Sequence, residues 1–145
     1  MTVVHKTALV EHPAAAMFEL VDRVEDYPRF LPWCGGVEVH RRSDSKTVAT
    51  IHINYHGLRS HISTENDKQP STRMDVRLRS GPFRHMHGGW RFTPLGETAC
   101  KVEFSLDYEF SNKLLEKTLG PVFGHIAKTF IDAFVKRANE RHGQR

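Results

Sequence analysis

The stretch VEFSLDYEFSNKLLEKTLGPVFGHIAKTFIDAF, residues 102–134, carries two hydrophobic rhythms joined at one point. Val102, Phe104, Leu106, Tyr108 and Phe110 alternate with Glu103, Ser105, Asp107 and Glu109, the period of a strand with one dry and one wet face. Ser111 and Asn112 then interrupt, with the residue types that cap helix N-termini. Beyond them Leu115, Leu119, Val122, Phe123, Ile126, Phe130 and Phe134 recur at helical spacing and form one broad apolar stripe. A half-buried antiparallel strand handing directly to a long amphipathic helix predicts a sheet that grips a helix. Gly120-Pro121 falls inside the stripe. Proline removes a backbone donor and crowds the preceding turn, so the expectation is a kink, or a short helix over 112–119 and a main one over 121–140.

Upstream, residues 2–10 read as a first strand. A short helix over 14–21 follows, with Pro13 at its first position and Met17, Phe18, Leu20 and Val21 on its apolar side. Residues 26–36 hold two prolines and two glycines and read as a loop with one helical turn. From Val37 the strands follow one another closely. Val37 and Val39 alternate with polar residues, and Ser43-Asp44-Ser45 turns into Ile51, Ile53 and Tyr55. His56-Gly57 makes a tight hairpin into a polar strand over 58–66. Met74, Val76 and Leu78 face away from Arg73, Asp75, Arg77 and Arg79. Gly81-Pro82 precedes a strand over 85–94, and Pro94-Leu95-Gly96 turns into the last one. The short connections predict a meander of about seven strands, and the class is α+β.

A length of 145 residues fits one domain, 1–145. No run of 18 apolar residues is present, and the first ten residues lack a secretory pattern, so a cytoplasmic protein is expected. Cys34 and Cys100 stand alone, without metal-ligand spacing, and read as reduced thiols.

The ten histidines form no HExxH and no zinc-finger pattern. His85 and His87 share one strand face, but two ligands are too few and the sequence names no third, so no metal is expected. Glu103, Asp107 and Glu109 lie on the wet face of their strand and read as solvated. Gly88-Gly89 matches no phosphate-cradling pattern. No catalytic constellation emerges, and the chain reads as a non-enzyme. Arg73, Arg77 and Arg79, with Arg41, Arg42, Arg59, Arg84 and Arg91, fall mostly opposite the apolar faces of their strands. They predict a convex basic surface open to phosphate-backbone contact. It lacks exposed aromatics for base stacking, and DNA is not an expected partner. In the loop before Val37, Pro28, Phe30, Leu31 and Trp33 form either a lid under the sheet or the mouth of a cavity, the latter facing ligand or bilayer.

Five segments carry a family likeness: Thr7-Ala8-Leu9-Val10, Tyr27-Pro28-Arg29-Phe30-Leu31-Pro32, Gly81-Pro82-Phe83, Gly88-Gly89-Trp90-Arg91-Phe92-Thr93-Pro94-Leu95, and residues 102–114. In order and over nearly the whole chain, they resemble the RatA family of bacterial ribosome-association toxins. They are also similar to the mitochondrial coenzyme-Q-binding proteins of the START-like, polyketide cyclase-like superfamily. The resemblance implies a helix-grip fold with an apolar cavity between sheet and helix. It implies no metal or redox cofactor. One branch implies binding of ubiquinone or another prenyl lipid as cargo in support of respiratory electron transport, with peripheral contact at the inner membrane. The other implies binding to the large ribosomal subunit and a block on subunit association. The ubiquinone reading is placed first, the ribosome reading second.

With that fold, the expected cavity wall is Ile51, Ile53, Tyr55, Met74, Val76, Leu78, Trp90, Phe92, Phe104, Leu106 and Tyr108 from the sheet. The helix adds Leu119, Val122, Phe123, Ile126 and Phe130. An empty pocket of about 300 Å³ would cost about 7 kcal/mol, against a typical domain stability of about 5–15 kcal/mol. Such a void predicts an apolar occupant.

Overall fold

The computed structural model describes residues 2–142. In chain order the elements are β1 (Thr2–Val10), α1 (Ala14–Asp22), a 3₁₀ turn (Val24–Arg29), β2 (Cys34–Arg42), β3 (Lys46–Tyr55), β4 (Leu58–Gln69), β5 (Arg73–Ser80), β6 (Phe83–Pro94), β7 (Cys100–Phe110) and α2 (Lys113–His142). The seven strands form one sheet in the order β1-β7-β6-β5-β4-β3-β2. Every neighbouring pair is antiparallel, so the meander closes when β1 returns to pair with β7.

Strand β7 alternates buried and half-buried residues along its whole length. Its apolar face meets the apolar stripe of α2. The Phe123 ring lies 4.7 Å from that of Tyr108, and Phe130 lies 5.3 Å from Phe104. Phe134, fully buried, lies 5.2 Å from Trp90. The Asn112 side-chain oxygen accepts the Leu115 N–H at 2.9 Å and caps the start of α2. Contrary to the expected division, α2 runs unbroken through Pro121. Lys117 and Pro121 are both exposed, so the carbonyl that proline leaves without an amide partner faces water.

Two other boundaries differ from expectation. Pro13 is the N-cap of α1 rather than its first residue: its ψ is 151°, and its carbonyl accepts the Ala16 and Met17 N–H groups at 3.0 and 3.2 Å. Strand β2 begins at Cys34, not Val37. The pairing of Cys34-Gly35-Gly36 with β3 slips at a bulge, which admits the glycines into the ladder.

The turn His56-Gly57 has φ of 51° and 83°, both in the left-handed region of a two-residue hairpin. It fixes the β3–β4 register: Ile51 faces Ile62, Ala49 faces Thr64, and Thr47 faces Asn66. Gly88 and Gly89 permit the closest approach in the sheet. A Cβ at Gly88 would collide with the Ser105 carbonyl oxygen, and one at Gly89 with that of Met74.

Candidate functional site: a chamber between sheet and helix

Where α2 passes over β3 and β4, the two layers part and enclose a chamber of about 100 Å³. This is a third of the expected volume. At about 24 cal/mol per Å³ it costs about 2 kcal/mol when empty, which a domain can carry. The reduction comes from the aromatic side chains: Phe130 reaches both Trp33 (5.9 Å between rings) and Trp90 (5.6 Å).

Of the residues expected in the wall, Ile51, Ile53, Met74, Val76, Trp90, Phe104, Leu106, Phe123, Ile126 and Phe130 line the chamber. The others lie elsewhere. Phe92 packs on Phe18 of α1 at 5.6 Å, and Tyr108 on Phe83 at 5.8 Å. Leu119 and Val122 border a separate void of only about 10 Å³. Tyr55 stacks on His125 at 6.0 Å and faces an outer groove, while Leu78 is half-buried beyond the chamber.

The structure adds Val24, Tyr27, Ile62, Thr64, Asn66, Met86 and Ala127 to the lining. Tyr27 is buried, and its hydroxyl donates to the Val21 carbonyl at 2.5 Å; burial holds its pKa well above the usual phenol range. Thr64 and Asn66 come from the strand that reads as merely polar. They are 5% and 6% exposed, and they were legible only through register. The two-residue turn at His56-Gly57 sets them opposite Ala49 and Thr47, and so on the inner face.

The loop before β2 divides between inside and outside. Leu31 is 1% exposed and belongs to the core, and Pro28 is exposed. Trp33 lines the chamber and also an outer groove of about 480 Å³ that runs past Phe30 and Tyr55 along α2. Trp33 is therefore the partition between the two spaces.

On the outer face of the sheet the three arginines of β5 are paired with carboxylates, while Arg41, Arg59 and Arg91 are exposed without an ion pair among the described residues. Arg77 reaches Glu65 at 2.9 Å and Asp67 at 2.7 Å, Arg79 reaches Glu65 at 3.1 Å, and Arg73 lies 3.7 Å from Asp75. Lys46 also pairs with Glu65; its hydrogen bond, followed by the charges around it, holds the Glu65 carboxyl below its ordinary value. Acidic residues on β4 interleave with the arginines of β5 and neutralise them. The β7 carboxylates are engaged too: Glu103 with Lys101, Asp107 with His85, and Glu109 with Arg84, each at 3.1 Å. The third metal-ligand type that the sequence lacked is Asp107. Its carboxylate and the imidazoles of His85 and His87 bring their ligand atoms within 4.8 Å of one another, a group able to hold a divalent cation. Cys34 and Cys100 are free and buried, and burial pushes both thiols up, away from reactive thiolate.

A curved antiparallel sheet closed on one long helix, with an apolar chamber where the layers part, defines a helix-grip protein. The chain belongs to the polyketide cyclase / dehydrase and lipid transport family, whose pattern matches residues 10–135. It is 38% identical over 142 residues to the ribosome association toxin RatA of Pseudomonas aeruginosa, covering 98% of this chain and 99% of that protein. The mitochondrial coenzyme Q-binding protein COQ10 homolog B of Xenopus laevis is 25% identical over 132 residues, covering 88% of this chain and 54% of that protein. Among solved structures, the Zhui aromatase/cyclase from Streptomyces sp. R1128 superposes with a TM-score of 0.85 at 19% identity, over 97% of this chain and 94% of that one. At that identity the likeness shows the fold alone. The expected helix-grip architecture and the expected kinship are both met. No helix among the described residues is long and apolar enough to cross a membrane.

Proposed function

We propose that this protein associates with the ribosome, at the large subunit, and inhibits translation without catalysing a reaction. The observation that carries this reading is the 38% identity to RatA along nearly the full length of both chains. The coenzyme Q-binding relative matches at 25% over 54% of its length, so the order of the two expected readings is reversed. The chamber lining holds no acid–base pair, in keeping with a binding role.

Candidate docking charges are the exposed cations without an ion pair among the described residues, which on the strands include Arg41, Arg59 and Arg91. Lys113, Lys117 and Lys128 are exposed along one side of α2, and none forms an ion pair among the described residues. Cations without protein partners are those available to ribosomal phosphates. The test is cosedimentation of purified protein with ribosomes through sucrose gradients at rising salt. Wild type should travel with the large subunit at low salt and be released as salt rises. Lys113→Glu, Lys117→Glu and Lys128→Glu together should abolish cosedimentation. Absence of wild-type protein from every ribosomal fraction would remove the reading.

A second reading rests on the chamber itself, which takes a small apolar ligand. A prenyl quinone would seat only its ring in a space of about 100 Å³, and its tail would pass Trp33 into the outer groove. Organic extraction of protein purified from its native cells, followed by mass spectrometry, identifies such a ligand; an extract free of lipid and aromatic compounds counts against it.

A further inference from the structure

On the outer face of the sheet, away from the chamber, β6 and β7 bring together three side chains of metal-ligand type. A bulge puts them there. The β6–β7 register shifts between Phe83 and His85, so the alternation of faces along β6 breaks at Arg84. Phe83 and Met86 both lie in the core, and His85 turns outward beside His87. Asp107 of β7 stands directly opposite His87 in register. Its Oδ1 is 3.1 Å from His85 Nε2. The His85 and His87 rings lie 5.4 Å apart and nearly perpendicular, and His87 makes no hydrogen bond among the described residues. One ligand atom from each of the three residues lies within 4.8 Å of the other two. Gly88 and Gly89 follow His87 without side chains, and a groove of about 270 Å³ opens there beside His87 and Asp107.

We infer that His85, His87 and Asp107 form a binding site for one divalent transition-metal ion of the zinc and cobalt type. The donor set decides the class. Two imidazole nitrogens and one carboxylate suit zinc, cobalt and nickel, whereas Mg²⁺ and Ca²⁺ take oxygen ligands. Ligand atoms about 2.0–2.1 Å from a shared ion stand about 3.0–3.5 Å from one another. The present spread closes to that distance when the His87 ring turns, and His87 is exposed. An ion between His85 and Asp107 takes the place of the hydrogen that now bridges them, and neutral His85 then carries its hydrogen on Nδ1. Arg77 faces His87 in the β5–β6 register, but its guanidinium is held by Glu65 and Asp67 at 2.9 and 2.7 Å, which offset its repulsion of a cation. Three protein ligands leave the ion open on the side of the groove. That is the arrangement of a site with an exchangeable water, not of a closed structural centre. The site lies outside the chamber and depends on neither reading above.

The test is calorimetric titration of the untagged full chain with Zn²⁺, Mg²⁺ and Ca²⁺, joined to the visible absorption spectrum of added Co²⁺. Wild type should bind one Zn²⁺ per chain, give Co²⁺ the ligand-field bands of mixed nitrogen and oxygen coordination, and bind Mg²⁺ and Ca²⁺ at least about a hundredfold more weakly. His87→Ala and Asp107→Asn should each weaken Zn²⁺ at least about tenfold with the circular dichroism spectrum unchanged, because His87 is exposed and asparagine keeps the shape of Asp107. His52→Ala is the control. It removes another strand histidine bonded to a carboxylate, that of Glu38 at 2.7 Å, and should leave the titration as in wild type. Any of four results would overturn the assignment: no Zn²⁺ bound by wild type, binding undiminished in both His87→Ala and Asp107→Asn, an equal loss in His52→Ala, or Mg²⁺ held as tightly as Zn²⁺.

Discussion

The two walls of the chamber are built on opposite principles. The wall from β6, β7 and the second half of α2 is aromatic and interlocked: Trp90, Phe104, Phe130 and Phe134 meet edge to face or tilted at ring separations of 4.8 to 5.6 Å. The lining from β3 and β4 carries no ring: Ile51, Ile53 and Ile62 stand beside Thr64 and Asn66, with the buried Thr47 opposite Asn66 in register. The first supplies stability through dispersion and area removed from water. The second gives up stability and leaves space and hydrogen-bonding groups. A fold that keeps unpartnered polar atoms beside a void has the arrangement of a binding site rather than of a core.

The largest expected effect lies in the aromatic wall. Phe134→Ala removes a fully buried ring and should cost about 3–5 kcal/mol in urea unfolding; a loss below about 1 kcal/mol would mean that this wall is not the densely packed one. Next comes the far end of β4, where the polar strip terminates in a satisfied pair. Lys68, with its side chain 3% exposed, donates to Asp22 of α1 at 3.0 Å. Lys68→Met strands the carboxylate and should cost about 3 kcal/mol by the same measurement. That result would separate paired from unpaired polar residues on one strand.

The third prediction has the opposite sign. Asn66→Leu should raise stability by about 1–2 kcal/mol, and Thr47→Val by about 1 kcal/mol, because each removes an unpaired buried atom. Destabilisation of both would erase the contrast between the walls.

The smallest effect lies outside both walls and serves as a control. Arg42 donates two hydrogen bonds of 2.8 Å to Glu25, and these lower the Glu25 pKa to about 2. A depressed folded-state value means that the pair's stabilisation is present above about pH 4.5 and is lost as pH falls through about 2. Both side chains are more than a third exposed, so the gain is small and screened by salt. In a carboxyl NMR titration, Arg42→Ala should return Glu25 toward its ordinary pKa and leave chamber binding unchanged.

The contrast between the walls also explains what the sequence made legible. β7 and α2 bury one face each, so hydropathy alternates on β7 and recurs at helical spacing on α2. Ten of the sixteen residues expected in the lining follow from such periodicity joined to the helix-grip resemblance, five on β7 and α2 and five on β3, β5 and β6. β4 carries polar residues on both faces over Ser63–Lys68, so its hydropathy has no period. Only the hairpin at His56-Gly57 holds the information that Thr64 and Asn66 point inward. The pairing of the β5 arginines was invisible for a related reason. Arginines on β5 are local in sequence, whereas the carboxylates that neutralise them sit on β4 and become neighbours only through pairing. The chamber's small volume was likewise invisible, since it depends on how far Phe130 reaches toward Trp33 and Trp90.

Xenon under pressure in a crystal of the protein tests the central contrast most directly, because a dry chamber of this size takes the gas and a packed core does not. The account predicts one xenon site bounded by Ile51, Ile62, Met74 and Phe130, and none within the aromatic wall around Phe134. A crystal with no xenon there, and with Phe130 turned inward against Ile51 and Ile62, would contradict it.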